Sequence, residues 1–190
     1  MKLEQKCDAY LTATAQVIAK SDRKALEAIA LRLLEIKQAG GTVFTAGNGG
    51  SAATASHMVN DLVKGCRVQD REGFRALCLS DSSTLLTCLA NDFSYEDAYR
   101  IALKALEKKG DALIVFSGSG NSPNVLSAAR CAKEAGICVI GFLGRDGGQM
   151  KALCDLCILA PTDSMEQIED AHMAYAHTLT AVMADALRGI

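Results

Sequence analysis

Residues 112–123 read Ala-Leu-Ile-Val-Phe-Ser-Gly-Ser-Gly-Asn-Ser-Pro. The apolar run at 112–116 predicts a strand that is buried on both faces, as in parallel sheets. Pro123 suits the first turn of a helix, and Ser122 is placed to cap that helix. Between the two elements, residues 117–122 form a short polar loop. A strand, a loop and a helix in this order are the repeating unit of an α/β fold.

The same unit recurs along the chain. Strands are predicted at 42–46, 75–79, 112–116, 137–143 and 156–160. Helices are predicted at 51–64, 83–90, 95–109, 123–135, 149–153 and 164–187. Ser94 with Asp97, and Ser164 with Gln167, have the spacing of a capping box. The pattern indicates an α/β fold in which a doubly wound, five-stranded parallel sheet is sandwiched by helices.

Apolar residues at helical spacing precede the first strand and predict a helical hairpin over residues 1–40. Ser21 is expected to cap its second helix, and Gly40 and Gly41 to end it. We therefore expect a single domain over 1–190, composed of this hairpin and an α/β core at 41–190.

Composition narrows the possible partners and location. The 190 residues carry a formal net charge of −2 and no basic run, which disfavours nucleic acid as a partner. We expect no membrane span and no signal peptide, and hence a cytoplasmic protein. The eight cysteines lie mostly singly in apolar runs and are interpreted as reduced packing residues. Cys154 and Cys157 have CxxC spacing, but no second pair completes a zinc site.

Two loops are placed to bind a ligand, because ligands of such sheets bind where strands end and helices begin. Residues 47–51 read Gly-Asn-Gly-Gly-Ser, and residues 117–122 supply the hydroxyls of Ser117, Ser119 and Ser122. A helix start behind the second loop favours an anion. The loop has no Lys or Arg, so neutral donors would bind a phosphate. An ordinary strand-to-helix turn is the alternative.

Histidines and carboxylates occur on two predicted helices. His57 and Asp61 are four residues apart and share a helix face, where they could bind a metal, share a proton or make a surface contact. On the last helix, Glu169 and His172 share a face, whereas Glu169 and His177 are separated by about 80° and 12 Å. Spacing alone therefore favours His172 as the partner of Glu169.

At these positions the chain resembles a known family. The segment Ser117-Gly-Ser-Gly-Asn-Ser after an apolar strand resembles the phosphosugar loop of SIS (sugar isomerase) domains. Further segments resemble the phosphoheptose isomerase branch, namely Gly47-Asn-Gly-Gly-Ser-Ala-Ala, Ser56-His57, Asn91-Asp92-Phe93, Gly144-Arg-Asp-Gly-Gly148, and Gln167-Ile-Glu-Asp-Ala-His172 with His177. The resemblance covers nearly the whole chain. It implies a homotetramer with sites between subunits.

The resemblance also implies a set of site residues. A zinc or other divalent ion would be held by His57, Asp61, Glu169 and His177, with Asp61 and His177 as base and acid. The implied substrate contacts are Asn48, Gly49, Gly50, Ser51, Asn91, Asp92, Ser117, Gly118, Ser119, Ser122 and Glu169. Three positions depart from the branch, since Asp61 replaces Glu, Glu169 replaces Gln and Gly118 replaces Thr.

The implied activity is the isomerisation of sedoheptulose 7-phosphate, or of another sugar phosphate, by enediolate proton transfer. Such a reaction needs a base near the acidic C–H and an acid near the developing oxyanion. One alternative is a non-catalytic tetramer that scaffolds the bacterial replication initiator. Relatives of that kind lack the histidine pair, whereas this chain keeps His57 and His177. A sugar-phosphate sensor is a third possibility, which an added DNA-binding domain would favour.

Overall fold

The computed structural model describes residues 2–69 and 72–190. Its strands are β1 (Thr42–Ala46), β2 (Arg75–Cys78), β3 (Ala112–Ser117), β4 (Cys138–Gly144) and β5 (Leu156–Ala160). Its α-helices are α1 (Leu3–Ala19), α2 (Arg23–Gln38), α3 (Gly50–Asn60), α4 (Ser83–Asp92), α5 (Ala98–Lys104), α6 (Pro123–Glu134) and α7 (Met165–Arg188). A π-helical turn at Asp61–Gly65 continues α3, and a 3-10 helix spans Gln149–Leu153.

All five strands lie in one parallel sheet in the order β2-β1-β3-β4-β5, which confirms the predicted α/β class. From β1 the chain continues to β2 at one edge of the sheet, and it then crosses back to β3 on the other side of β1. The direction in which strands are added therefore reverses between β1 and β3. In open α/β sheets the crevice beyond the carboxyl ends of two such strands is where ligands bind. The loops that follow β1 and β3 are the two glycine-rich loops singled out from the sequence.

The central strand β3 is buried along its whole length and separates two hydrophobic clusters. Ile114 and Phe116 pack with Phe142 of β4 in the cluster that also receives α2, α3 and α7. Leu113 and Val115 point to the opposite face, into the cluster that receives α5 and α6. Burying each large side chain stabilises the fold by roughly 1.5–3 kcal/mol, so both layers hold the loops at the end of β3 in place.

One predicted helix cap is wrong. Asp22, not Ser21, caps α2, because its carboxylate accepts hydrogen bonds from the backbone N–H groups of Lys24 and Ala25 at 2.9 and 3.1 Å. Ser21 is buried instead, and its hydroxyl lies 2.6 Å from the hydroxyl of Tyr175 in α7. The serine therefore joins the N-terminal hairpin to the last helix.

Other boundaries shift for local reasons. The helix expected at 95–109 spans only α5, because Ser94 and Asp97 hydrogen-bond to each other in a turn that precedes it. The capping box predicted for Ser164 and Gln167 forms only in part. Ser164 accepts from the backbone N–H of Gln167, whereas the Gln167 side chain bonds to Thr162.

All eight cysteines are free. Cys154 and Cys157 pack against the cluster of α5 and α6, as the packing interpretation expects. Burial raises the pKa of the Cys154 thiol to about 12, so the thiolate needed for redox or metal chemistry is disfavoured. Among the helices at 2–69 and 72–190, none is both long and apolar enough to cross a membrane.

Candidate active site

Two histidines and an aspartate converge where α3 meets α7. Nε2 of His57 lies 3.0 Å from Nε2 of His177. Oδ2 of Asp61 lies 3.5 Å from Nε2 of His57 and 3.8 Å from Nε2 of His177. Each side chain keeps part of its surface exposed, so a ligand can reach it. The group can exchange protons, and its ligand atoms are close enough together to hold a metal ion.

The local fold explains this convergence. Met58 of α3 and Ala176 of α7 are both buried in the same cluster, which turns their neighbours His57 and His177 outward along the seam of the two helices. Asp61 begins the π turn, in which the backbone N–H of Cys66 donates to the carbonyl of Asp61 at 3.1 Å. Such single π turns occur frequently at functional sites.

Glu169 lies apart from this group. Its carboxylate fills the space beside Gly50, where an added Cβ would lie only 2.7 Å from Oε1 of Glu169. The residue thus lies at the N-terminus of α3, where the helix dipole favours a negative charge. In the described part of the chain, the metal-binding cluster contains His57, Asp61 and His177 but not Glu169.

His172, which spacing favoured as the partner of Glu169, lies in the core. It is 1% exposed, and its ring centroid is 6.1 Å from that of Phe116 and 6.2 Å from that of Phe142. Burial lowers the pKa of His172 to about 4. The imidazole is therefore neutral at pH 7 and serves as a packing residue.

The loop after β3 is held by its own hydrogen bonds. The Ser117 hydroxyl is buried and accepts from the backbone N–H of Gly120 at 3.1 Å. The Ser119 hydroxyl accepts from the backbone N–H of Asn121 at 3.2 Å. Ser122 occupies the N-cap of α6, but its side chain makes no cap hydrogen bond. Ser119 and Ser122 are partly exposed and thus have hydroxyl protons to offer a ligand.

A third glycine-rich loop, at 145–148, supports the loop after β3. The backbone N–H of Gln149 donates to Oδ1 of Asn121 at 3.1 Å, and the N–H of Met150 donates to the carbonyl of Gly120 at 2.9 Å. A side chain at Gly148 would collide with Asn121, so the two loops require glycine to approach this closely.

The loop after β1 ends in a left-handed residue. Gly49 has φ of +55°, a conformation that favours glycine, and it forms the N-cap of α3. A Cβ at Gly47 would lie 2.6 Å from the Ser51 carbonyl, so this turn is also too tight for a side chain. Asn48 points toward α6 and contacts Asn124, which fixes its side chain.

Asn91 and Asp92 lie exposed at the end of α4. The amide of Asn91 donates to Asp92 at 2.9 Å, and the Cys88 thiol donates to Asp92 at 3.5 Å. These contacts remain within α4. Tyr95, three residues further on, does reach the loop after β1, because its hydroxyl donates to Oδ1 of Asn48 at 2.8 Å.

Sequence reasoning missed four residues that contact the two loops. Tyr95, Tyr99 and Asn124 bind the loop after β1, and Met165 packs against the loop after β3. None of them belongs to a motif or to a spacing that indicates a site. They are recognised only when separate helices come together in the fold.

A groove of about 310 Å³ opens beside the histidine–aspartate group. It begins at Asp61 and His177 and runs along α7 toward Asp185 and Arg188, which are paired at 3.3 Å. The groove gives solvent and small molecules access to the side chains of Asp61 and His177.

Comparison with known proteins places this geometry in a family. The model of the SIS domain matches residues 8–144. A phosphoheptose isomerase from Trichlorobacter lovleyi is 36% identical over 190 residues, which is 100% of this chain and 91% of the relative. One from Burkholderia pseudomallei is 39% identical over 150 residues, covering 79% of this chain and 76% of the relative.

A solved structure shows the same likeness over the whole fold. The phosphoheptose isomerase of Neisseria gonorrhoeae superimposes with a TM-score of 0.88 at 26% identity, and the match covers 100% of both chains. The matched length includes α7, which carries Glu169 and His177 and lies beyond the segment matched by the SIS model. The chain therefore belongs to the SIS domain family, and its relatives include proteins named phosphoheptose isomerase.

Proposed function

We propose that this chain is a phosphosugar isomerase that interconverts sedoheptulose 7-phosphate and an aldose heptose 7-phosphate. The convergence of His57, Asp61 and His177 carries the proposal, since these side chains can accept and donate protons at one point. The relatives named phosphoheptose isomerase support the substrate class.

The loop after β3 is proposed to bind the phosphate. Ser119 and Ser122 offer hydroxyl protons, and the N-terminus of α6 adds a favourable dipole. Ser117 and Gly118 contribute through the shape of the backbone. Binding energy at the remote phosphate would help to place the reacting carbons.

The sugar is proposed to lie between the two loops and the histidine–aspartate group. We propose that Asn48, Gly49, Gly50, Ser51, Asn91, Asp92 and Glu169 contact it. Asp61 would remove the proton from the carbon next to the carbonyl, and His177 would donate a proton to the developing oxyanion. Their separation of 3.8 Å lets one substrate lie within reach of both.

A divalent metal is also proposed at this group. The ligand atoms of His57, Asp61 and His177 lie within 4.8 Å of one another, and two imidazoles with one carboxylate suit zinc or a similar ion. When bound, such an ion would polarise the oxygens of the substrate in place of the His177 proton, because a coordinated Nε2 has no proton to donate. Glu169 lies outside the cluster, and its proposed role is therefore contact with the sugar.

We further propose a homotetramer with sites between subunits. Val17 alone is buried in α1, although this helix carries apolar residues along its length. Leu3, Tyr10 and Leu11 are exposed on it and would be covered by another copy. Light scattering should show four chains, and a monomer at micromolar concentration would contradict the proposal. The eight free cysteines fit a reducing compartment, and we propose the cytoplasm.

The decisive experiment is an isomerisation screen of sugar phosphates with five to seven carbons, with and without added divalent metal. We expect the highest kcat/KM with sedoheptulose 7-phosphate. Absence of turnover with every sugar phosphate, with metal and without, would contradict the proposed function. Faster turnover of a five- or six-carbon substrate would keep the reaction type but change the substrate.

A further inference from the structure

Asn48 and Asn124 form a reciprocal pair of amides across the crevice between β1 and β3. Nδ2 of Asn48 donates to Oδ1 of Asn124 at 2.9 Å, and Nδ2 of Asn124 donates to Oδ1 of Asn48 at 2.8 Å. Asn48 belongs to the loop after β1, whereas Asn124 lies in the first turn of α6 and is 1% exposed. The pair thus joins the two loops that follow neighbouring strands.

The orientation of both amides follows from a backbone group. The N–H of Val125 can only donate, and it lies 3.0 Å from one atom of the Asn124 side chain, which must therefore be the oxygen. The Nδ2 of Asn124 then faces Asn48, so the atom it meets there is the oxygen of Asn48. The nitrogen of Asn48 is left to face Oδ1 of Asn124.

Two tyrosines add to this arrangement. The hydroxyl of Tyr95 donates to Oδ1 of Asn48 at 2.8 Å. The hydroxyl of Tyr99 donates to the carbonyl of Gly47 at 2.6 Å and lies 3.4 Å from Oδ1 of Asn48. Tyr99 is 1% exposed, and burial raises the pKa of its hydroxyl, which therefore stays protonated and remains a donor.

These contacts leave Asn48 with one unused group. Its oxygen already accepts from Asn124 and Tyr95, so both lone pairs are occupied. Its nitrogen carries two protons, of which one goes to Asn124. Among the contacts of residues 2–69 and 72–190, the second proton is the part of this amide that remains for a ligand.

We propose that Asn48 acts only as a hydrogen-bond donor, to an oxygen of the sugar, and that Asn124 and Tyr99 are positioning residues that fix this donor. The inference rests on the proposed function, because it assumes that a sugar phosphate enters the crevice. Asn124 acts through Asn48, and Tyr99 acts through Asn48 and the Gly47 carbonyl; neither needs to touch the substrate.

A double-mutant cycle tests the role of Asn124. We expect Asn124→Ala to lower kcat/KM for sedoheptulose 7-phosphate at least tenfold, and we expect a loss of the same size for Asn48→Ala. The double variant should be no slower than Asn48→Ala, because Asn124 acts through Asn48. Losses that multiply in the double variant would show a general structural role and overturn the inference. Affinity for inorganic phosphate, which needs only the loop after β3, should change less than twofold, and a larger change would also count against it.

Tyr99→Phe provides a milder variant in case Asn124→Ala does not fold. It removes one hydroxyl and should lower kcat/KM at least threefold. Tyr175→Phe is the matched control, since it removes a buried phenol contact, to Ser21, on the opposite face of the sheet. Equal effects of the two variants on kcat/KM would overturn the inference.

Calorimetry with sedoheptulose 7-phosphate distinguishes failure of this inference from failure of the proposed function. If the wild-type chain binds the sugar phosphate and Asn124→Ala binds it equally well, the inference fails and the proposed function stands. If the wild-type chain does not bind it, the proposed function fails and the inference fails with it.

Discussion

Gly118 of the loop after β3 and Met165 at the start of α7 occupy adjoining space. A Cβ added to Gly118 would overlap the Met165 sulfur and lie 3.2 Å from Met165 Cε and 3.4 Å from Cγ2 of Ile168. The methionine thus fills the volume that a larger residue would take. This contact gives a physical reason for glycine at a position where the phosphoheptose isomerase pattern has threonine.

The contact predicts that Gly118→Thr is destabilising. Inserting atoms into a filled space typically costs about 1–3 kcal/mol, and here it would also shift the proposed phosphate loop. Met165→Ala in the same chain should recover part of the loss, because it vacates that volume. Urea denaturation of the two single variants and the double variant measures this coupling. Additive effects would show that Met165 does not set the requirement for glycine.

Substitutions of the serines in this loop should have two kinds of effect, one on ligand binding alone and one on stability as well. Ser122 makes no cap hydrogen bond, so Ser122→Ala should leave stability nearly unchanged while weakening sugar-phosphate binding by about 1.5–3 kcal/mol, the value of a hydrogen bond to a charged group. Ser117 is buried and accepts from the N–H of Gly120, so Ser117→Ala should lower stability as well. Calorimetry with the sugar phosphate and its dephosphorylated analogue measures the first effect. Equal affinity of the wild-type chain for both sugars would refute the phosphate assignment.

Much of the fold was predictable because the sequence patterns that indicate its helices and strands are local. The apolar run at 112–116 is β3 with one residue added, and the spacing of His57 and Asp61 does place both side chains on one side of α3. The prediction of Ser21 as the cap of α2 is wrong because capping depends on which of two adjacent polar residues is buried, and here Ser21 is buried. Its neighbour Asp22 stays at the surface and caps the helix.

The remaining features of the candidate site depend on tertiary contacts, which the spacing of residues along the chain does not reveal. His177 meets His57 only because two distant helices pack side by side, and the amide pair of Asn48 and Asn124 forms only because β1 and β3 are neighbours. Spacing favoured His172 as a site residue, but the sheet side of α7 is apolar and buries it.

Buried His172 predicts an acid-sensitive fold. Burial lowers its pKa from the ordinary 6.5 to about 4, and this effect outweighs a contact with the Leu143 backbone that favours the protonated ring. The unfolded chain therefore binds a proton more readily, so stability is complete above pH 6.5 and falls as the pH drops from 6.5 toward 4. The contribution is at most about 3 kcal/mol.

His172→Phe removes this titration and suits the aromatic surroundings of Phe116 and Phe142. The free energy of unfolding of the variant, measured with urea at several pH values, should fall less steeply between pH 6.5 and 4. The same pH dependence in variant and wild type would mean that His172 is not responsible.

The strongest contrast lies between the two histidines of α7. His177 belongs to the group with His57 and Asp61, whereas His172 is covered on all sides, although only the latter lies one turn from Glu169. His177→Ala should reduce turnover by about 10²–10⁴-fold, the usual contribution of a general acid or base, and should lower the metal content of the purified protein. Phosphate affinity should be retained, because Met165, which contacts the proposed phosphate loop, lies about 18 Å from His177 along α7. His172→Phe should keep both turnover and bound metal when equal amounts of folded protein are compared.

Steady-state kinetics, elemental analysis and phosphate calorimetry on the two variants decide the assignment. Full activity in His177→Ala, or a greater loss in His172→Phe, would show that the reaction does not depend on the pair that the structure brings together.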